Sequence, residues 1–265
     1  MIFDYSQMHN QNYDIPTQAK ISSVKRILAR VQTYIYKFVE IDSPNILNYG
    51  YNYYCGSNGN SQRDYRPFNG TLDYLVHVQL VNQNIDFVAA AEVCIKHIVT
   101  KRPFVGTLFI NTNQVQVNSY QEHKQFFVFL HEVFHLLGFN DELWAYFREL
   151  DANHATIKKF NGLDHRVLTF ATLIQTARDH YQCPTLDSLP LEDAGSSGSK
   201  DNHWEKTYFP NELMNPTLEE NPIISNISIA VLRSTGWYTI KEGADQQYYW
   251  GRDAGCEYFK ECGNY

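Results

Sequence analysis

The amino-acid sequence predicts an α+β protein with two lobes, and three features of the chain lead to this prediction. Apolar residues recur every three or four positions over residues 19–40, the spacing of a helix with one buried face. Apolar and polar residues alternate over 72–80, the period of a β-strand. The pattern changes at Gly138: strands and helices mix before it, whereas helices and long loops alone are predicted after it. We therefore expect an N-terminal lobe at 1–138, with a mixed sheet, and a mainly helical C-terminal lobe at 139–265.

Between the first helix and Gly138, the sequence predicts three further elements. Residues 87–99 have the pattern of a helix, and Pro103 ends it. Residues 104–110 then read as a strand. The third element, a helix over about 120–137, has the clearest boundaries. Ser119 and Glu122 have the spacing of a capping box, and Gly138 stands where a helix end favours a left-handed residue.

Beyond Gly138, the pattern predicts helices near 141–150, 166–181 and 223–235. The stretch 195–199, Gly-Ser-Ser-Gly-Ser, has the composition of a flexible loop.

Composition excludes several classes of protein. With 22 Lys and Arg against 29 Asp and Glu, the chain of 265 residues has a formal net charge of −7, which gives no reason to bind nucleic acid or an anionic membrane. The densest apolar run, 126–130, is far shorter than the roughly 18 residues of a membrane-spanning helix. The N-terminus shows no signal-peptide pattern. The five cysteines contain no C-x-x-C pair, which argues against a Cys-rich zinc knuckle.

The strongest chemical signal is His131-Glu132-Val133-Phe134-His135, on the predicted helix over 120–137. Histidines at i and i+4 share one face of a helix, so both imidazoles reach one ion. Two helical histidines and one further ligand leave the fourth tetrahedral position of zinc for water, and Glu132 stands where a base would take a proton from that water. Since the flanking residues are apolar, uncompensated polar groups would be costly here.

The residues alone leave the third ligand open. In zinc proteases with a long H-E-x-x-H-x-x-G-x-x-H motif, a glycine turns the chain and a histidine follows three residues later. Gly138 fits the glycine, but position 141 is Asp141. An aspartate can bind zinc, but a carboxylate at the start of a helix, beside Glu142, is the more ordinary use of Asp141. Among the histidines further along the chain, His203 is the rival donor.

Separated segments resemble one known family. The motif at 131–139 is followed 68 positions later (203 − 135) by Asn202-His203-Trp204-Glu205 and then by 211–216, Asn-Glu-Leu-Met-Asn-Pro. Together they resemble the leishmanolysin-type metallopeptidases, metzincins in which a long insertion displaces the third histidine. The stretches around Cys94, 102–106, 181–186, 191–193 and 250–256 are similar to that family as well.

The resemblance implies a metzincin-like zincin fold that forms one catalytic unit, and a site within it. It implies that His131, His135 and His203 bind one Zn²⁺ per chain, with Glu132 as catalytic acid and base. Met214 would lie in the turn beneath the metal, and Gly138 would end the active-site helix. The expected activity is a zinc endopeptidase acting on protein or peptide substrates. These would bind in extended form, antiparallel to an edge strand expected at 104–111.

The resemblance also pairs the cysteines. It implies disulfides between Cys55 and Cys94 and between Cys183 and Cys256, and leaves Cys262 without its usual partner. Two bridges indicate an oxidising compartment, hence an extracellular or cell-surface location. The opposite interpretation, five reduced thiols in a cytoplasmic protein, agrees with the missing signal-peptide pattern.

Two other functions remain open. One is a catalytically silent adhesion or binding module that keeps zinc for its structure, although such a site has no use for Glu132. The other is a zinc peptidase of a different clan, in which Asp141 is the third ligand.

Overall fold

A computed structural model describes residues 1–8, 14–41, 45–48, 69–84, 87–149, 156–160, 162–195 and 198–260. Its mixture of helices and sheets confirms the α+β prediction. The chain divides into two compact units, Met1–Leu137 and Gly138–Tyr265. Within the described residues, none of the helices has both the length and the hydropathy needed to span a bilayer.

The first unit contains a four-stranded sheet. Its described elements are β1 (Ile2–Asp4), α1 (Ile15–Phe38), β2 (Val39–Glu40), β3 (Asn45–Asn48), β4 (Asn69–Leu72), β5 (Leu75–Val81), β6 (Ala89–Lys96), β7 (Pro103–Asn111) and α2 (Ser119–Leu137). The strand order in the sheet is β1-β5-β7-β6, and β3 pairs with β4 separately. Strands β1, β5 and β7 are parallel, whereas β6 is antiparallel to β7. The predicted helix at 19–40, strand at 72–80, strand at 104–110 and helix at 120–137 are thus present.

The predicted helix over 87–99 is wrong, because residues 89–96 form strand β6. The run Ala89–Ala91 favours a helix by intrinsic propensity. Pairing with β7 overrides that preference, since Ala89 lies opposite Ile110 and Val93 opposite Gly106. Because residues 89–96 are a strand that pairs with β7, the expectation of an edge strand at 104–111 is also wrong. Strand β7 lies between β5 and β6, and β6 is at the end of the sheet order.

Helix α2 begins at Ser119 but is not capped as the sequence predicts. The side chain of Asn118 accepts a 2.9 Å hydrogen bond from the Gln121 N–H, so Asn118 is the cap. The Glu122 carboxylate binds Arg26 and Ser23 of α1 instead of closing a capping box. A contact between α2 and α1 therefore takes the place of the capping box that the sequence predicted within α2.

Helix α2 packs against the sheet at β6 and β7 and against α1. At Gly106 of β7 the approach is close: a Cβ atom there would lie 2.7 Å from Leu136 Cδ2. The Tyr74 hydroxyl donates a 3.0 Å hydrogen bond to the Leu136 carbonyl and so satisfies one of the free acceptors at the helix end. In all, ten residues of α2 are buried.

The second unit also contains a sheet, so the expectation of helices and loops alone after Gly138 is wrong. Its described elements are α3 (Asp141–Trp144), β8 (Ile157–Phe160), β9 (Leu163–Leu168), α4 (Ala171–Tyr181), β10 (Leu189–Pro190), α5 (Asn226–Ser234) and β11 (Thr239–Ile240). Strands β8, β9 and β10 form an antiparallel sheet in the order β10-β9-β8. The predicted helix at 223–235 corresponds to α5. The one at 166–181 begins only at Ala171, because residues 163–168 belong to β9, and the one at 141–150 ends at Trp144.

Gly138 is required by close packing, not by a left-handed turn. Its φ of 159° is close to fully extended backbone. A Cβ atom at this position would lie 3.0 Å from Thr235 Cγ2 and 3.6 Å from both Leu232 Cδ2 and Phe147 Cζ. The left-handed conformation predicted for Gly138 is therefore wrong, although a glycine is still the residue that fits.

Candidate metal centre

Two histidines of α2 face each other on one side of the helix. The Nε2 atoms of His131 and His135 are 3.0 Å apart, and the ring planes are nearly perpendicular, at 83°. His131 is 6% exposed and His135 is partly buried. Ligand nitrogens that share a tetrahedral zinc ion are each about 2.0–2.1 Å from it, so their separation is close to that of this pair. The arrangement of these two donors fits a zinc ion.

Glu132 lies between the two histidines in sequence and is almost fully buried. Burial raises the pKa of its carboxyl to about 8, although a hydrogen bond from the main-chain N–H of Ala91 opposes that shift. A buried carboxyl with a raised pKa is the kind of group that can act as a general base or acid. The contact with Ala91 also directs the carboxylate towards strand β6, a contact that the sequence did not reveal because residues 87–99 resembled a helix.

In the second unit, the structure makes His203 a neutral, oriented donor. The residue is 6% exposed, and its Nδ1 donates a 2.9 Å hydrogen bond to the Ser199 carbonyl. A carbonyl oxygen only accepts, so Nδ1 carries the proton and Nε2 the lone pair. Burial lowers the pKa of this imidazole to about 4. Histidine ligands of metals are typically held in this way by a main-chain carbonyl.

The segment that follows His203 is bonded to the turn at Met214. The Trp204 N–H donates a 2.9 Å hydrogen bond to the Met214 carbonyl, and the Trp204 indole donates one of 2.8 Å to the Ser228 hydroxyl. Met214 itself is fully buried. The turn therefore packs in the core of the second unit and fixes the chain next to His203.

Glu212 is a buried anchor of the same turn, and our sequence analysis did not assign it a role. Its carboxylate accepts hydrogen bonds from the Met214 N–H and from both the N–H and the hydroxyl of Ser225. Burial raises the pKa of this carboxyl to about 7, against the effect of these donors. The available signal was a glutamate directly before the apolar pair Leu213 and Met214, because a buried carboxylate needs several donors.

Asp141, the rival third ligand, has other partners. Its Oδ2 lies 3.3 Å from the guanidinium of Arg166, and its main-chain N–H donates to Asn202 Oδ1. Asp141 is the first residue of α3, which Asn140 caps. These contacts correspond to the interpretation of Asp141 as a carboxylate at the start of a helix.

One of the two implied disulfides lies within the described residues. Cys183, two positions after α4, is bonded to Cys256 with a Cα–Cα distance of 4.7 Å. Cys55 and Cys262 lie outside the described residues, so the Cys55–Cys94 pairing stays a prediction, as does the state of Cys262.

One family model matches most of the chain. The family model described as leishmanolysin, a metallopeptidase family, matches residues 63–264, which include the α2 motif, His203 and Met214. The chain belongs to the leishmanolysin family. A leishmanolysin-like peptidase of Caenorhabditis briggsae is 27% identical over 231 residues, which cover 74% of this chain and 32% of that relative.

Other relatives of this leishmanolysin-family chain come from distant organisms. Leishmanolysin of Leishmania donovani is 29% identical over 189 residues, 71% of this chain and 31% of that protein. The ciliated left-right organizer metallopeptidase of Danio rerio is 28% identical over 167 residues, 59% of this chain and 27% of that protein. The chain thus spans about a third of the length of the curated relatives it matches.

Proposed function

We propose that this leishmanolysin-family chain is a zinc-dependent endopeptidase in which His131, His135 and His203 bind one Zn²⁺. The observation that carries the proposal is the pair of Nε2 atoms 3.0 Å apart on α2, with the buried Glu132 carboxyl next to them. The neutral, oriented imidazole of His203 supports its role as third ligand. The ion pair between Asp141 and Arg166 argues against the alternative ligand.

The proposed chemistry divides between the ion and Glu132. When bound, zinc lowers the pKa of water and polarises the carbonyl of the peptide bond to be cleaved. The Glu132 carboxylate takes the proton of the attacking water and delivers it to the nitrogen of the leaving amine. The hydrogen bond from Ala91 holds that carboxylate in one orientation while it exchanges the proton.

We place the substrate along β6 instead of at residues 104–111. Strand β6 pairs with β7 on one side, and no described strand pairs with its other side. The outer side of a strand at the end of a sheet can offer N–H and C=O groups to an extended peptide, which adds to the sheet by main-chain hydrogen bonds. Because the Ala91 N–H of β6 donates to Glu132, a peptide that lies along neighbouring main-chain groups of β6 is adjacent to the proposed general base.

The Cys183–Cys256 disulfide supports a secreted or cell-surface protein, because such bonds form and persist in oxidising compartments. Mass spectrometry of native material, with and without reduction after thiol alkylation, tests this part. Protection of Cys183 and Cys256 from alkylation is expected. Five alkylated cysteines without reduction would instead place the protein in a reducing compartment.

A catalytically silent adhesion or binding module is the second candidate. It would need the imidazoles for zinc but would not need the Glu132 carboxyl, whose burial is costly. The presence of a buried acidic side chain between the two histidines in sequence therefore favours catalysis.

The decisive experiment combines elemental analysis with digestion of casein. We expect His203→Ala to hold one zinc fewer than the wild type and to lose cleavage. Glu132→Gln should keep its zinc and lose cleavage by about 10²-fold or more, because a positioned acid–base group contributes at least that much. Asp141→Asn is the matched control and should keep both its zinc and its ability to cleave casein.

Each component of the proposal fails on a different result. Zinc retained by His203→Ala but lost by Asp141→Asn would move the third ligand to Asp141. Wild-type protein that binds zinc and leaves casein intact would support the silent module. Cleavage by Glu132→Gln at the wild-type rate would refute its role as the base.

A further inference from the structure

A second cluster of metal-binding groups lies in the second unit, formed by His165 of β9 with Asp193 and Glu205. One ligand atom from each residue lies within 4.8 Å of those of the other two. His165 is 3% exposed and Glu205 is 7% exposed, so the cluster is largely removed from water. None of the three residues belongs to the proposed zinc ligands.

The imidazole of His165 is oriented in the same way as that of His203. Its Nδ1 lies 3.0 Å from the Leu191 carbonyl oxygen and must donate, because a carbonyl only accepts. In the neutral ring, Nε2 then carries a lone pair. The Glu205 Oε2 lies 3.6 Å from the same Nδ1. Nε2 faces another acceptor, the Asp193 carboxylate, whose Oδ2 lies 4.0 Å from it. A cation between the two atoms would satisfy both.

The surrounding charge is strongly negative. Glu192, which is 8% exposed, adds a third acidic side chain within electrostatic range of Glu205 and Asp193. Within the part of the chain that the structure describes, no lysine or arginine side chain forms an ion pair with Glu192, Asp193 or Glu205. Carboxylates removed from water are costly unless a cation compensates them.

We propose that His165, Asp193 and Glu205 bind a second divalent cation, separate from the proposed catalytic zinc. One imidazole with two carboxylates suits a first-row ion such as Mn²⁺ or Zn²⁺. The ion would link β9 to the segment at 191–205. Since Glu205 follows His203 by two residues, that link would stabilise the part of the chain that carries the proposed third zinc ligand.

The test is a comparison of metal content and Mn²⁺ binding in the whole chain. Asp193→Asn and Glu205→Gln remove one ligand each, and the partly exposed Asp193 side chain makes the first change mild for folding. Asp164→Asn is the control. Asp164 precedes His165 in sequence, and its exposed carboxylate pairs with Lys159. Far-UV circular dichroism verifies that all three variants are folded.

We expect the wild type and Asp164→Asn to bind one more divalent ion than Asp193→Asn. The affinity for Mn²⁺ should fall by more than the roughly 10- to 100-fold that loss of an outer-shell partner costs. Equal metal content and equal Mn²⁺ affinity in all variants would overturn the proposal and leave His165 as a buried residue hydrogen-bonded to the Leu191 carbonyl. Because His203→Ala affects only the other ion, failure here is distinguishable from failure of the proposed peptidase.

Discussion

The main-chain N–H of Trp204 lies 2.9 Å from the carbonyl oxygen of Met214. This bond joins the residue directly after His203 to the buried turn, and Glu212 holds the same turn through the Met214 N–H. The position of the proposed third ligand therefore depends on main-chain hydrogen bonds that a buried carboxylate organises, and not on the methionine side chain alone.

Glu212→Ala should destabilise the protein by about 3 kcal/mol or more, since it leaves several buried donors without an acceptor, at roughly 1–3 kcal/mol each. Urea unfolding measures this loss, and elemental analysis should show a lower zinc content at limiting zinc. The control is Glu242→Ala, an exposed position that should change stability by less than about 0.5 kcal/mol. Equal unfolding midpoints for the two variants would exclude the anchoring role of Glu212.

Gly106→Ala should lower stability by about 1–3 kcal/mol, the usual cost of overpacking. The added Cβ would lie 2.7 Å from Leu136 Cδ2 and 3.0 Å from the Glu92 carbonyl oxygen, so α2 or β6 has to move. Combining it with Leu136→Ala tests the mechanism. The double variant should lose less than the sum of the two single losses, because the substitutions act on one contact. Strict additivity in denaturant titrations would place the strain elsewhere.

Asn118→Ala should cost about 1 kcal/mol, the value of a lost helix cap, whereas Ser119→Ala should be close to neutral. The reason is that Asn118 Oδ1, and not the Ser119 hydroxyl, accepts the N–H of Gln121. The two neighbouring variants differ by one position and serve as controls for each other in thermal or chemical unfolding. The reverse order of effects would restore the capping box read from the sequence.

Acid should weaken the first unit through Asp4. Burial by itself raises the pKa of the Asp4 carboxyl, but hydrogen bonds from His77 and Ser6 outweigh it and hold the pKa well below its ordinary value of 3.8. A depressed pKa means that the folded state binds the proton less readily than the unfolded state. The carboxylate thus stabilises the fold above pH 3.8, and this contribution is lost as the pH falls below it.

Asp4→Asn tests this linkage. The variant should be less stable than the wild type by about 1 kcal/mol at neutral pH, the usual net worth of such hydrogen bonds, and the difference should shrink below about pH 4. Urea titrations across this range measure it. A gap between the two proteins that stays constant with pH would show that the carboxylate charge contributes nothing.

By itself, the sequence determined the pair of helical histidines at the proposed metal site. The i, i+4 spacing places His131 and His135 on one helix face whatever the rest of the chain does, because the period of an α-helix is a local property. The alternation over 72–80 and the apolar spacing over 19–40 likewise identified β5 and α1 from local patterns. The resemblance of the segments at 202–205 and 211–216 added the expected third ligand.

Tertiary structure decided what local pattern could not. Residues 89–96 are a strand because pairing with β7 outweighs the helix preference of three alanines. As a result β6, and not β7 as the sequence predicted, is at the end of the sheet order. Glu122 binds Arg26 and Ser23 in place of a capping box, because a packed helix offered a charged partner. The roles of Ala91 and Glu212 likewise follow from hydrogen bonds between residues distant in sequence. Such contacts form only when the chain is folded, and residue spacing along the sequence does not encode them.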